Sequence, residues 1–198
     1  MSGKHKMKNE RRAYDFELRI DKENRKLTGH AAVFDVEGDG GWFREKIARG
    51  AFADSIQVDD VRALWNHDAN YVLGRNRAGT LKLSEDERGL FIEIDPPDTQ
   101  FARDLLVSIE RGDVSQMSFG FQTVRDSWER STEGNNQDVR TLEKVKLYDV
   151  SPVTFPFYPE TDVAVRSHEQ WEKTIKEPEP TWNKVATMRR RLKLNQWR

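Results

Sequence analysis

From Tyr14 to Ile20 apolar residues (Tyr14, Phe16, Leu18, Ile20) alternate with Asp15, Glu17 and Arg19, the two-residue period of a half-buried strand. The polar run from Asp21 to Lys26 turns the chain into a second strand from Leu27 to Phe34. A glycine-rich loop follows (Gly38, Gly40, Gly41), Gly50 to Ile56 suits a short helix, and Val61 to Trp65 reads as a strand ending at Asn66, His67 and Asp68. Thr80 to Leu83 and Leu90 to Ile94 flank the charged turn Glu85 to Gly89 as a hairpin, closed by Pro96 and Pro97. Asp98 or Thr99 then caps a helix with Phe101, Ala102, Leu105, Leu106 and Ile109 on one face, stopped by Gly112. Met117, Phe119 and Phe121 restore the strand period, Asp126 to Asp138 reads as a polar loop, and Leu142, Val145 and Leu147 mark a strand running towards Asp149. Short strands, close turns and one clear central helix predict a mainly β domain with flanking helices, of α+β class, its strands forming a barrel.

The chain has 198 residues, enough for one domain with tails. The apolar positions concentrate between Tyr14 and Val165, which predicts a flexible basic arm over 1–13, one domain over 14–166 and a tail over 167–198. In that tail Ser167 and Gln170 suit a capping box, Glu177-Pro178-Glu179-Pro180 is a stiff linker, and Trp182 to Arg198 is basic and aromatic. The tail alone would suggest a nucleic-acid contact, but a net charge of -1 argues against nucleic-acid binding as the main role. Cysteine is absent, which excludes disulfides, thiolate zinc sites and a cysteine nucleophile, and fits a reducing cytoplasm. The amino terminus lacks the apolar segment of a secretory signal, and no apolar run approaches the ~20 residues that span a bilayer, so a soluble, intracellular protein is expected.

Four histidines narrow the chemistry. His5 lies in the polar arm, His168 in a surface-like helix, and His30 inside a strand between Gly29 and Ala31. His67 stands at a strand end, rigid but accessible, which suits a general base as well as it suits a structural histidine. Strand parity sets Ser118 on the face opposite Met117, Phe119 and Phe121, with Gly120 beside it leaving space for a substrate. Ser115 has core parity or lies in the preceding loop, and Ser118 by itself also reads as an ordinary outward-facing strand serine. A serine needs a base, and the base a third group. Asp149 shares parity with Val145 and Leu147, so it points to the apolar side, where a carboxylate needs either an imidazole or backbone amides near Pro152. Gln116 stands where a nucleophile elbow requires glycine, no phosphate loop or dinucleotide fingerprint occurs, and His67-Asp68 lacks further histidines at metal-ligand spacing. No cofactor and no metal are expected.

Thr28-Gly29-His30-Ala31-Ala32-Val33-Phe34, Gly50-Ala51-Phe52, Leu64-Trp65-Asn66-His67-Asp68, Leu73-Gly74-Arg75 and Gly79-Thr80-Leu81 occur in this order. Met117-Ser118-Phe119-Gly120-Phe121 and the stretch from Asp149 to Pro156 follow them. Together these segments resemble the prohead proteases of tailed phages, over nearly everything from Tyr14 to Arg166. The resemblance implies a serine protease with the assemblin-like β-barrel of herpesvirus capsid proteases, cleaving the major capsid protein or its scaffolding segment inside the immature procapsid, in the bacterial cytoplasm. It assigns His67 and Ser118 to the family's histidine and serine, and sets Asp149 where the family often carries glutamate. The herpesvirus relatives use a second histidine there, which keeps His30 and His168 in view. The resemblance also suggests self-cleavage and dimerisation. A catalytically silent scaffold or capsid-assembly protein on the same fold is the competing reading. The sequence does not identify the oxyanion donors; the loop after Asp149, from Val153 to Phe155, is the candidate source of backbone N–H groups.

Overall fold

The computed structural model describes residues 10–15, 18–21, 23–131, 137–155 and 162–176. The chain divides after Glu160 into two units, and helix α3 (Asp162–Lys176) belongs to the second. Ser167 and Gln170 lie inside α3, not at its start, so the expected capping box is not the helix's beginning. The Pro-rich linker and the basic end of the tail lie outside the described residues.

The first unit is built on two sheets. The larger has seven strands, β1 (Glu10–Asp15), β4 (Gly38–Asp39), β5 (Arg44–Ile47), β6 (Arg62–Trp65), β7 (Asp68–Arg75), β10 (Gln116–Glu129) and β11 (Val139–Val153). The smaller has four, in the order β2 (Arg19–Asp21), β3 (Lys26–Val33), β9 (Gly89–Ile94) and β8 (Leu81–Glu85). Helix α1 (Ser55–Val58) follows the Gly50 turn, and α2 (Gln100–Glu110) follows Thr99. The fold is therefore mainly β with helices, as the alternation predicts. Among the described residues the expected barrel closure is not made: the larger sheet runs from β1 to β4 without pairing its ends, and the smaller ends on β2 and β8.

Three further expectations change. The alternating stretch 14–20 is not one strand, because β1 pairs with β10 in the larger sheet and β2 with β3 in the smaller. Strand β1 also begins at Glu10, inside the stretch expected as a flexible arm. Of the stretch from Asp126 to Asp138, expected as a loop, Asp126 to Glu129 is the end of β10, paired through Glu129 with Val139 of β11, and Asp126 is polar because it faces Arg140.

One core joins the sheets: Leu27, Ala31, Leu90, Ile92 and Ile94 of the smaller meet Met117, Phe119, Phe121, Leu147 and Val150 of the larger, with Phe52 and Leu105 from the helical side. Phe119 packs its ring against Phe52 at 5.4 Å and Phe121 at 4.9 Å, a rigid backing for β10.

A charged cluster lies buried where β1, β5, β10 and β11 meet. Arg140 donates to Glu10 at 2.8 Å, Glu45 at 3.1 Å, Asp126 at 2.7 Å and Thr123 at 3.1 Å, while Arg12 donates to Glu45 and Glu10. Burial pushes the Glu10 carboxyl up, but the Arg140 guanidinium, by charge and hydrogen bond, and Arg12 together outweigh it and hold Glu10 below the usual carboxylate range. A carboxyl lowered in the folded state adds stability above its unfolded pKa and loses it as the pH falls through its folded value. Acid should therefore loosen the β1 end of the sheet, and the melting temperature of Glu10→Gln should fall less steeply between pH 5 and pH 2 than that of the wild type. Arg140→Ala leaves the buried Glu10 and Glu45 with Arg12 as their one remaining cation among the described residues and should cost about 3–5 kcal/mol in denaturant unfolding.

Candidate active site

Strand β10 holds Ser118 between two neighbours: Ala13 of β1 on one side and Ser151 of β11 on the other. Gly120 stands opposite Asp149 in the same ladder. Residues opposed across a ladder share a face, so Ser118, Ser151, Gly120 and Asp149 line one side. Met117, Phe119 and Phe121, all fully buried, fill the other. Ser118 is thus on the face that strand parity predicts.

Asp149 reaches that face by a route that alternation does not show. The register slips between Gly120 and Phe121, since Gly120 pairs with Asp149 but Phe121 pairs with Leu147. Tyr148 is the extra residue of a β-bulge, and it reverses the parity of everything beyond it. Leu147 and Val150 both stay in the core while Asp149 between them turns to the face of Ser118, where it meets His67 and Ser151. The expectation that Asp149 points to the apolar side is therefore overturned. Side chains hold the bulge: Ser55 accepts the Leu147 N–H at 2.7 Å, and the Tyr148 hydroxyl donates to Gln122 at 2.8 Å.

His67 comes from a third place. Trp65 pairs with Asp68, so only Asn66 and His67 join β6 to β7. Their φ angles are 54° and 58°, the positive values that a type I′ hairpin turn requires at both central positions. Glycine usually takes the second of these, and histidine there is held by its surroundings.

His67 Nδ1 lies 2.5 Å from Asp149 Oδ2, and Nε2 lies 2.7 Å from Ser118 Oγ. A carboxylate only accepts, so Nδ1 carries the ring proton and Nε2 is left to accept from the serine hydroxyl. Asp149 Oδ2 accepts a second hydrogen bond, from Ser151 Oγ at 2.7 Å. Ser118 is 1% exposed and the imidazole 4%, which differs from the accessible strand end expected for His67. In so dry a setting the hydrogen bonds along the chain strengthen.

A family model described as caudovirus prohead serine protease matches residues 14–176 of the 198. The chain belongs to this family. No curated protein and no solved structure matches it. The prohead protease is thus a serine peptidase of capsid maturation, and the hydroxyl–imidazole–carboxylate chain of hydrogen bonds is an arrangement suited to that chemistry.

Elsewhere in the prohead protease, His30 Nε2 of β3 lies 2.8 Å from Asp86 Oδ2 in the turn between β8 and β9, and the His168 ring lies 5.4 Å from that of Trp171 within α3. The group within hydrogen-bond distance of His67 Nδ1 is the Asp149 carboxylate. His5 lies outside the described residues. Ser115 is exposed just before β10. Among the proposed oxyanion donors, the Thr154 N–H is already given to Asn66 Oδ1, at 2.9 Å.

Gly120 has a different role from the one its sequence position suggests. A Cβ built on it would stand 2.3 Å from Asp149 Oδ1, far inside van der Waals contact. The glycine makes room for the carboxylate, not for a substrate. Gly120→Ala should push Asp149 off His67, and the downfield proton signal of the Nδ1–H should disappear while the fold persists. Sequence reading also missed Ser151, whose only signal is its place two residues beyond Asp149.

Proposed function

We propose that the prohead protease cleaves the major capsid protein or its scaffolding segment inside the immature procapsid, and its own chain as well, with Ser118 as nucleophile, His67 as general base and Asp149 as the group that orients the base. The observation that carries this reading is the unbroken run from Ser118 Oγ through both nitrogens of His67 to Asp149 Oδ2. As Oγ adds to the scissile carbonyl carbon, its proton passes to Nε2. Asp149 then faces an imidazolium and stabilises it. Breaking the C–N bond sends that proton to the leaving amine and leaves an acyl-serine. Water, deprotonated by Nε2, attacks the ester, and Ser118 recovers its proton as the new carboxyl terminus departs. Asp149 takes up no proton at any stage.

Co-expression with the capsid protein of the same phage tests the reading. Intact-mass spectrometry should show the capsid protein shortened at its amino terminus and the protease shortened as well. Full-length capsid protein, with a well-folded protease that no acyl-serine reagent labels, would instead identify a silent assembly protein.

A further inference from the structure

We infer that Asn66 is a positioning residue that clamps the hairpin turn of His67 onto the strand that carries Asp149. Three hydrogen bonds make the clamp. The Asn66 N–H donates to the Pro152 carbonyl at 3.0 Å, Asn66 Oδ1 accepts the Thr154 N–H at 2.9 Å, and Asn66 Nδ2 donates to Thr154 Oγ1 at 3.3 Å. All three end on β11 or the bend just after it, only a few residues beyond Asp149.

The turn needs such a clamp for two reasons. Asn66 and His67 both have positive φ, a conformation that costs roughly 1–2 kcal/mol per residue outside glycine and persists where neighbours over-determine it. The pairing of β6 with β11 also covers only Arg62 and Ala63, so the ladder ends before the histidine. Beyond that point the turn is tied to β11 by the three bonds of Asn66 and by the His67–Asp149 hydrogen bond that they position. Asparagine is suited to this because it tolerates positive φ and its short amide offers both a donor and an acceptor. The inference rests on the reading of His67 as the base of Ser118. Its content is that the orientation of the imidazole is set by a bridge from the preceding residue as well as by Asp149.

Three variants separate the clamp from the turn. Asn66→Gly relieves the backbone strain but removes both side-chain bonds. Asn66→Ala removes the bonds and adds strain. Asn66→Asp keeps the acceptor for Thr154 N–H, can accept from the Thr154 hydroxyl, and still tolerates positive φ. Two readouts are taken on the full chain: the kinetics of labelling by a fluorophosphonate, separated into maximal rate and half-saturating concentration, and the downfield proton signal of His67 Nδ1–H. A misplaced base costs about 10²-fold in rate. Asn66→Gly and Asn66→Ala should lose about that much maximal labelling rate, with half-saturation unchanged, and should lose the proton signal. Asn66→Asp should keep most of both.

A glycine variant that labels at the wild-type rate and retains the signal would overturn the clamp and show that the turn needs only its backbone conformation. An aspartate variant as impaired as glycine would overturn it as well. Should wild type resist labelling while the proton signal is lost in Asn66→Gly and kept in Asn66→Asp, the clamp stands and the role of Ser118 falls.

Discussion

Ser118→Ala will leave the capsid protein uncut. The hydroxyl is the only group within hydrogen-bond reach of His67 Nε2 in the described residues that can form an acyl-enzyme. Without it His67 has no nucleophile to activate, and the cleavage rate should drop to background. The effect on stability is separate and smaller. Ser118 is 1% exposed, and its removal leaves Nε2 without its donor, a loss of about 1–3 kcal/mol for a buried acceptor. The variant should therefore melt somewhat lower, yet still cooperatively, and should still associate with the shell. Ser115→Ala is the control, because Ser115 is exposed in the loop before β10 and its loss should move stability by less than about 0.5 kcal/mol. A fluorophosphonate should label wild type at Ser118 and leave His67→Ala unlabelled, since without the base the hydroxyl keeps its proton. Normal cleavage by Ser118→Ala would end the assignment, and loss of cleavage in Ser115→Ala would move the nucleophile to that residue.

Asp149→Asn should lower turnover by orders of magnitude, about 10⁴-fold where the same change has been made in a serine–histidine–aspartate triad. Oδ2 accepts from both His67 Nδ1 and Ser151 Oγ, so the site presents two donors to one oxygen. An amide that turns its NH₂ towards them opposes donor to donor and favours the wrong imidazole tautomer. An amide that turns its oxygen keeps the contacts but loses the charge that stabilises the imidazolium. Asp149→Glu keeps that charge and should fall less, although the extra methylene must fit beside Gly120. Time courses of capsid-protein cleavage, compared at equal folded fraction, measure both. Unchanged turnover in Asp149→Asn, with Ser118 still essential, would mean that serine and histidine act as a pair.

Local pattern was informative wherever it recorded burial that depends on short range. The alternation Met117, Phe119, Phe121 placed Ser118 on the opposite face because a regular strand has a period of two, and β10 is regular there. The hairpin of β8 and β9 and the helix α2 were legible for the same reason: each buries one face and has its own turn or stop signals. The order of the quoted segments carried the family, and the family model that matches residues 14–176 agrees with it.

What sequence alone determined was therefore the composition of the faces, the mainly β class and the three residues worth testing. Their meeting was decided by tertiary structure. Alternation sets Asp149 on the apolar side, a parity that the bulge at Tyr148 reverses, and a bulge depends on partners such as Ser55 and Gln122 that are distant in the chain. The turn at Asn66 and His67 lacks the glycine that would announce a tight hairpin, so its positive φ pair and its bonds to Pro152 and Thr154 have no local signature. Gly120 looked like space for a ligand, whereas the space is filled by the carboxylate opposite it. The closure of the sheets, too, depends on which edges pair, and backbone hydrogen bonds between distant strands carry no side-chain pattern. Periodicity reports what each residue needs from its surroundings, and only the folded chain decides which residue supplies it.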